Sequence, residues 1–139
     1  MPALGMGMAT FFFELVAPAK LVFSGQVEEV MAPGSEGDFT VLKGHAPVMA
    51  MLRPGIVEFG NAQGRQRLFV RGGFADVSAG GVTILAEEAI PLAELSVEKI
   101  ESDIRNAEDD VRDAAAGEAK RLASETLDRL RELKAALKV

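Results

Sequence analysis

The chain has no cysteine, a single histidine and no apolar run of membrane-spanning length, and each shortage removes a class of function. Without cysteine there is no disulfide framework and no thiolate metal site, which is compatible with a reducing compartment. With His45 alone there is no second imidazole for a metal, and the sequence holds neither a Gly-x-Ser-x-Gly nucleophile turn nor a Walker-type phosphate loop. Basic residues are outnumbered, 15 Lys and Arg against 21 Asp and Glu, for a net charge of −6. General nucleic-acid binding needs a clustered basic surface that displaces counterions from phosphate, and no such cluster occurs. The N-terminal MPALGMGMATFFF has no Lys or Arg, so neither a secretory signal nor a transmembrane helix is supported and a soluble protein is expected. Gly5 and Gly7 resist regular structure there, and residues 1–9 are expected to be disordered.

At 139 residues and 48% hydrophobic side chains, the chain is long enough for one ordinary domain, or a small domain with an appendage. Short β-prone runs punctuated by glycine fill its first two thirds. Thr10 to Ala17 alternates, with Phe11, Phe13 and Leu15 on one face; Lys20 to Ser24 and Gln26 to Ala32 follow, separated by a bend or bulge at Gly25 and closed by Pro33. Glu28 and Glu29 read as a solvated stretch of edge. Gly34-Ser35-Glu36-Gly37 is a sharp turn, Phe39 to Leu42 and Val48 to Leu52 are strands on either side of Lys43–Pro47, and Arg53-Pro54-Gly55 has the residues of a type II turn. Ile56 to Phe59 and Arg65 to Arg71 form a hairpin, and Gly72-Gly73 and Gly80-Gly81 turn into Phe74 to Ser78 and Val82 to Glu87. Strands at this spacing specify an antiparallel sandwich or barrel. The glycine pairs lie between strands rather than opening helices, so they read as turns and not phosphate cradles.

The composition changes at Pro91. From Leu92 onward there is one glycine and no proline, and charges crowd in. Ser96 can cap a first helix whose apolar stripe is Val97, Ile100, Ile104, Ala107, Val111 and Ala114. Gly117 breaks it. A second helix from about Glu118 to Lys138 carries Leu122, Leu127, Leu130, Leu133 and Leu137, with Ala119, Ala123 and Ala136 on the same side. Two thin stripes backed by charged faces predict an antiparallel helical hairpin. The fold class is therefore α+β: a sandwich of about ten strands over residues 10–91, then a helical hairpin over 92–139. Alanine adds little burial to such a seam, and isolated helices of about 20 residues are marginal in water, so the hairpin is expected to open and depend on other contacts.

The blocks GSEGDFTVLKGHAP (34–47), LRPGIVEF (52–59) and VRGGFADVSAGGVTILAEEA (70–89), followed by two helices, resemble the epsilon subunit of bacterial F-type ATP synthases, the counterpart of the mitochondrial delta subunit. The likeness runs from about Phe13 to Leu137. It implies a non-catalytic central-stalk subunit, bound to gamma and to the membrane ring of c subunits, peripheral on the cytoplasmic face of the inner membrane. It implies that Glu36, Asp38 and His45 dock on that ring. It also implies that the helices extend into the alpha and beta subunits of the catalytic head and block hydrolysis, with Arg121, Arg129, Arg131 and Lys134 meeting acidic surfaces there. Some relatives hold ATP through I/L-D-x-x-R-A at the first helix. Here Ser96, Lys99 and Ile100 replace Asp, Arg and Ala, so weak or absent ATP binding is expected and no cofactor is assigned. Other readings of the residues are a nucleotide-sensing hairpin, a ligand-binding sandwich with a helical dimerisation tail, and an acid/base group at His45 with Glu36 and Asp38. For His45 itself, a turn residue that holds its loop by hydrogen bonds is the simplest account.

Overall fold

The computed structural model describes residues 9–137, so the expectation for the N-terminal nine residues falls almost wholly outside it. Ten strands are described: β1 (Phe11–Ala17), β2 (Lys20–Val27), β3 (Glu29–Gly34), β4 (Gly37–Val41), β5 (Val48–Met51), β6 (Gly55–Asn61), β7 (Gly64–Val70), β8 (Gly73–Ser78), β9 (Gly81–Ala86) and β10 (Ala89–Pro91). A single 3₁₀ turn, Leu92–Glu94, leads to helices α1 (Val97–Asp113) and α2 (Glu118–Leu137). The chain divides into two compact units between Leu92 and Ala93.

The strands form two five-stranded sheets, ordered β2-β1-β9-β8-β5 and β10-β7-β6-β3-β4. All pairings are antiparallel except β1 with β9, which run parallel from Phe13↔Val82 to Val16↔Leu85. Parallel neighbours need a long connection, and here it is the chain from β2 through β8. The alternation read in β1 is observed: Phe13 and Leu15 are fully buried. Phe13 and Phe23 of one sheet meet Phe59 of the other, with centroids 4.9 Å (Phe13–Phe59) and 4.5 Å (Phe23–Phe59) apart. Val30, Val57, Val70, Ala75 and Ile84 fill the space around them.

Four local expectations need correction. Gly25 does not break the chain: β2 runs through it, and the irregularity sits instead at Val22, the extra residue of β2 between Phe23 opposite Leu15 and Leu21 opposite Val16. Glu29 does not lie on an edge, because β3 is held between β6 and β4. Pro33 does not end β3, which continues to Gly34 because the lost N–H is not required while the Pro33 carbonyl still accepts from Arg53 N at 2.9 Å. Gly55 lacks the positive φ that a type II turn requires at its second central position. It is needed for space instead: a Cβ there would sit 2.7 Å from Cβ of Pro33.

In the hairpin unit, Ser96 caps α1 by accepting from Lys99 N at 3.0 Å, as its position suggested. Gly117, at φ +93, makes the break between the helices. The buried residues are Ile100, Asp103 and Ala107 on α1 and Leu127, Leu130 and Leu133 on α2. Between Glu108 and Thr126 no side chain is fully buried, and Leu122 is exposed rather than part of the seam. Leu122 shares its side of α2 with buried Leu133, eleven residues or about 1100° further on, so its exposure follows its place near the interhelical loop and not its angle on the helix.

Candidate functional site: the β4 border and the helical hairpin

The β3–β4 hairpin positions two of the three residues assigned to ring docking. Its strands pair Gly34↔Gly37 and Pro33↔Asp38, which leaves Ser35 and Glu36 at the tip, exposed. Asp38 accepts from Arg53 Nη2 at 2.7 Å, yet 72% of its side chain stays in water. The Arg53 guanidinium also donates to the Gly34 carbonyl, so one arginine ties the chain after β5 to this turn. Sequence reading did not single out Arg53; the signal available was a lone arginine within a turn, facing an acidic one.

His45 lies elsewhere. β4 is extended, at about 3.3 Å per residue, and separates Gly37 from Val41 by roughly 13 Å before the Leu42–Pro47 loop begins. Glu36 and Asp38 are thus at one end of β4 and His45 at the other, and the imagined acid/base cluster does not form. The histidine holds its own loop: its backbone N–H donates to the Leu42 carbonyl at 3.0 Å, and Nδ1 lies 2.7 Å from the Ala46 carbonyl. This loop borders a cleft of about 470 Å³ whose walls include Phe11, Gln26, Val41, Ser78 and Gly81. What Glu36, Asp38 and His45 share is a border: β4 is the last strand of one sheet, as β5 is of the other.

Arg65 and Arg67 stand on the solvent face of β7. Arg65 donates to Glu58 at 2.7 Å and to Glu29 at 2.8 Å, spanning three strands. The Glu58 bond is the larger cause that holds its guanidinium above the usual value.

All four basic residues assigned to the catalytic head are engaged in the compact hairpin. Arg131 reaches Glu108 of α1 at 3.0 Å and Lys134 reaches Glu101 of α1 at 3.3 Å. Arg129 bonds Glu132 on its own helix at 2.9 Å, and Arg121 bonds Glu118 and, at 2.7 Å, Glu125. The Arg121–Glu118 bond raises the guanidinium and lowers the carboxyl from their usual values. A further feature was not legible in the sequence. Asp103, 3% exposed, accepts from Lys99 Nζ at 3.1 Å through Oδ1 while Oδ2 is buried without a hydrogen bond.

Comparison with known proteins agrees with this architecture. Residues 10–92 match the family model of the ATP synthase delta/epsilon chain beta-sandwich domain. The chain belongs to the ATP synthase delta/epsilon family. The ATP synthase epsilon chain of Parvibaculum lavamentivorans is 51% identical over 123 residues, spanning 88% of this chain and 93% of that one. That of a Bradyrhizobium strain is 53% identical over 85 residues, 61% of this chain and 63% of its own. Among solved structures, a chain in the OSCP/F1/c-ring assembly of the Euglena gracilis mitochondrial ATP synthase superposes with TM-score 0.72 at 26% identity, covering 99% of this chain and 87% of its own. A chain from the Tetrahymena thermophila central stalk and ring shares the fold, with TM-score 0.64 at 12% identity over 91% and 97% of the two chains. This member of the delta/epsilon family is a non-catalytic epsilon subunit of the central stalk of an F-type ATP synthase. None of the helices described is long and apolar enough to cross a membrane.

Proposed function

We propose that the sandwich is the foot of the rotating stalk, bound to the gamma subunit and resting on the membrane ring, and that the hairpin is a brake on ATP hydrolysis. Such a subunit is peripheral on the cytoplasmic face of the inner membrane. The ring faces the β4 border lengthwise, which is how Glu36 and Asp38 at one end and His45 at the other share one footprint. Replacing Asp38 with lysine weakens coupling of proton flow to hydrolysis in the assembled enzyme. Arg53→Met serves as control, since it removes the Asp38 ion pair without reversing the charge that faces outward. Normal coupling in Asp38→Lys removes Asp38 from the footprint.

The observation that carries the brake is the distribution of burial in the hairpin: the half that adjoins the interhelical loop holds no fully buried side chain, only half-buried ones such as Val111, Ala114 and Ala123, so little apolar area opposes its opening. Straightened, α2 with its 20 residues spans about 30 Å and can reach into the alpha and beta subunits. Opening frees Arg131 and Lys134 from their partners on α1, and these with Arg121 and Arg129 then meet carboxylates of the head. Nucleotide is not the trigger in this reading. Ser96 Oγ is taken by the helix cap and Lys99 Nζ by Asp103, which supports weak or absent ATP binding at the start of α1.

The deciding experiment compares ATP hydrolysis by the assembled complex carrying the full chain with that of a complex whose chain ends at Leu92. A large rise on truncation is expected, and a crosslink between α1 and α2 should give the same release. Unchanged hydrolysis with assembly and coupling intact reduces the helices to a stabilising appendage.

A further inference from the structure

An apolar row crosses the outer face of the β2-β1-β9-β8-β5 sheet in register. Met51 pairs with Phe74, Phe74 with Leu85, Leu85 with Val16, and Val16 with Leu21, one residue from each of the five strands. Met51 is 63% exposed, Leu85 40% and Leu21 55%, while Phe74 and Val16 are half-buried. The adjoining row is Met49, Asp76, Thr83, Glu14 and Ser24, also in register, and it sets two carboxylates beside the apolar one. Single exposed apolar residues are ordinary, but a continuous row across a whole sheet marks a contact surface. The core does not require it, because these side chains point away from the residues that fill the space between the sheets.

We propose that this row seats an amphipathic helix from another subunit, laid across the strands, with its apolar stripe on the row and lysine or arginine along the flank above Glu14 and Asp76. Four interstrand steps of about 4.8 Å make the row roughly 19 Å long. That is the length of about 13 residues of α-helix, whose three-and-four spacing keeps one stripe on the row throughout. An added β-strand does not fit: it would pair with the free edge of β5 or of β2 and leave Phe74, Leu85 and Val16 on the inner strands uncovered. A second copy of this chain, set face to face about an axis perpendicular to the row, would bring its Glu14 and Asp76 towards their counterparts, like charge against like charge, and set about an axis along the row it would offer them no cation. The docking rests on the stalk reading above, since it needs a partner within the ATP synthase.

The test uses ATP synthase depleted of this chain and measures rebinding of purified full-length variants. Leu85→Glu and Leu21→Glu each lie on the surface, and circular dichroism checks that they fold. Each is expected to weaken rebinding at least about tenfold, while Arg67→Glu, on the outer face of the other sheet, leaves it unchanged. Because the chain has no cysteine, Met51→Cys, Leu85→Cys and Leu21→Cys each place one photocrosslinker on the row. The linked partner residues should fall in a single segment at successive spacings of three or four. Failure of the wild type to rebind would overturn the stalk reading and this one together. Rebinding of the wild type and both glutamate variants alike would overturn the docking surface alone. Crosslinks to a second copy, to α1 or α2, or to a strand of the partner would overturn the helix as its occupant.

Discussion

Arg131 on α2 donates to Glu108 on α1 across the hairpin, with Nη2 and Oε2 3.0 Å apart, and Lys134 does the same to Glu101 at 3.3 Å. Both pairs lie in water, where such contacts contribute on the order of 0.2–1 kcal/mol each. They decide alignment more than stability. Arg131→Glu therefore loosens the helix pair slightly, and Glu108→Arg added to it restores the pairing with reversed polarity. A double-mutant cycle in urea unfolding should find a coupling of about 0.5 kcal/mol that fades in high salt. A coupling of zero at low salt would show that the pair does not hold the helices.

Gly55 allows β6 to start against Pro33. Gly55→Ala places a methyl 2.7 Å from the proline Cβ, in a ring that cannot swing aside. The expected loss is about 1–3 kcal/mol of sandwich stability by urea unfolding. Glycine at a type II turn would instead be sensitive through φ, and an alanine variant of full stability would show that the strands shift to make room.

The sequence made the broad plan readable because strong local signals agreed: glycine-punctuated alternation over the first 90 residues and three-and-four periodicity after Pro91. It misread positions where one residue type has two uses. Gly25 marks close approach of the Phe23 ring, at 3.3 Å from its Cβ position, and not a bend. Gly55 marks the same thing against Pro33. The site was legible only in part, since spacing along the chain cannot tell the two ends of an extended strand apart. Glu36, Asp38 and His45 lie within ten residues, yet β4 separates them. Asp103 was hidden for another reason: an acid among six other carboxylates of α1 reads as solvated until its burial is seen.

That burial makes the Lys99–Asp103 pair testable. Removing the cation with Lys99→Met leaves a carboxylate almost without water and one hydrogen bond poorer, at a cost of about 1–3 kcal/mol to the hairpin. Removing both charges with Lys99→Met and Asp103→Leu is expected to recover that loss or exceed it. Hairpin unfolding followed by circular dichroism in urea separates the outcomes. If the double variant is as weak as the single one, the carboxylate makes a favourable contact of its own.

The Glu118 carboxyl is held low by Arg121, so it contributes to the first turn of α2 above the ordinary carboxylate range, and that contribution is lost as pH falls through its folded value. Arg121→Gln should move the Glu118 titration midpoint upward, as read from its side-chain carbon shifts by NMR. A Glu118 midpoint unaffected by the substitution would mean that the helix terminus and not the guanidinium sets it.

The uneven burial of the hairpin predicts where it opens. Amides between Glu108 and Thr126 rest on backbone hydrogen bonds and exposed ion pairs, while those around Ile100–Ala107 and Leu127–Leu133 are backed by buried side chains. Native-state hydrogen exchange should therefore show protection falling towards the interhelical loop on both helices. Leu122 supplies the internal control. It faces water, so Leu122→Ala should change protection by no more than a few tenths of a kcal/mol, whereas Leu130→Ala should cost about 2–5 kcal/mol and expose both helices at once. Uniform protection along α1 and α2 would mean that the hairpin opens only as a whole. A brake built on it would then have to release every buried side chain before α2 could extend.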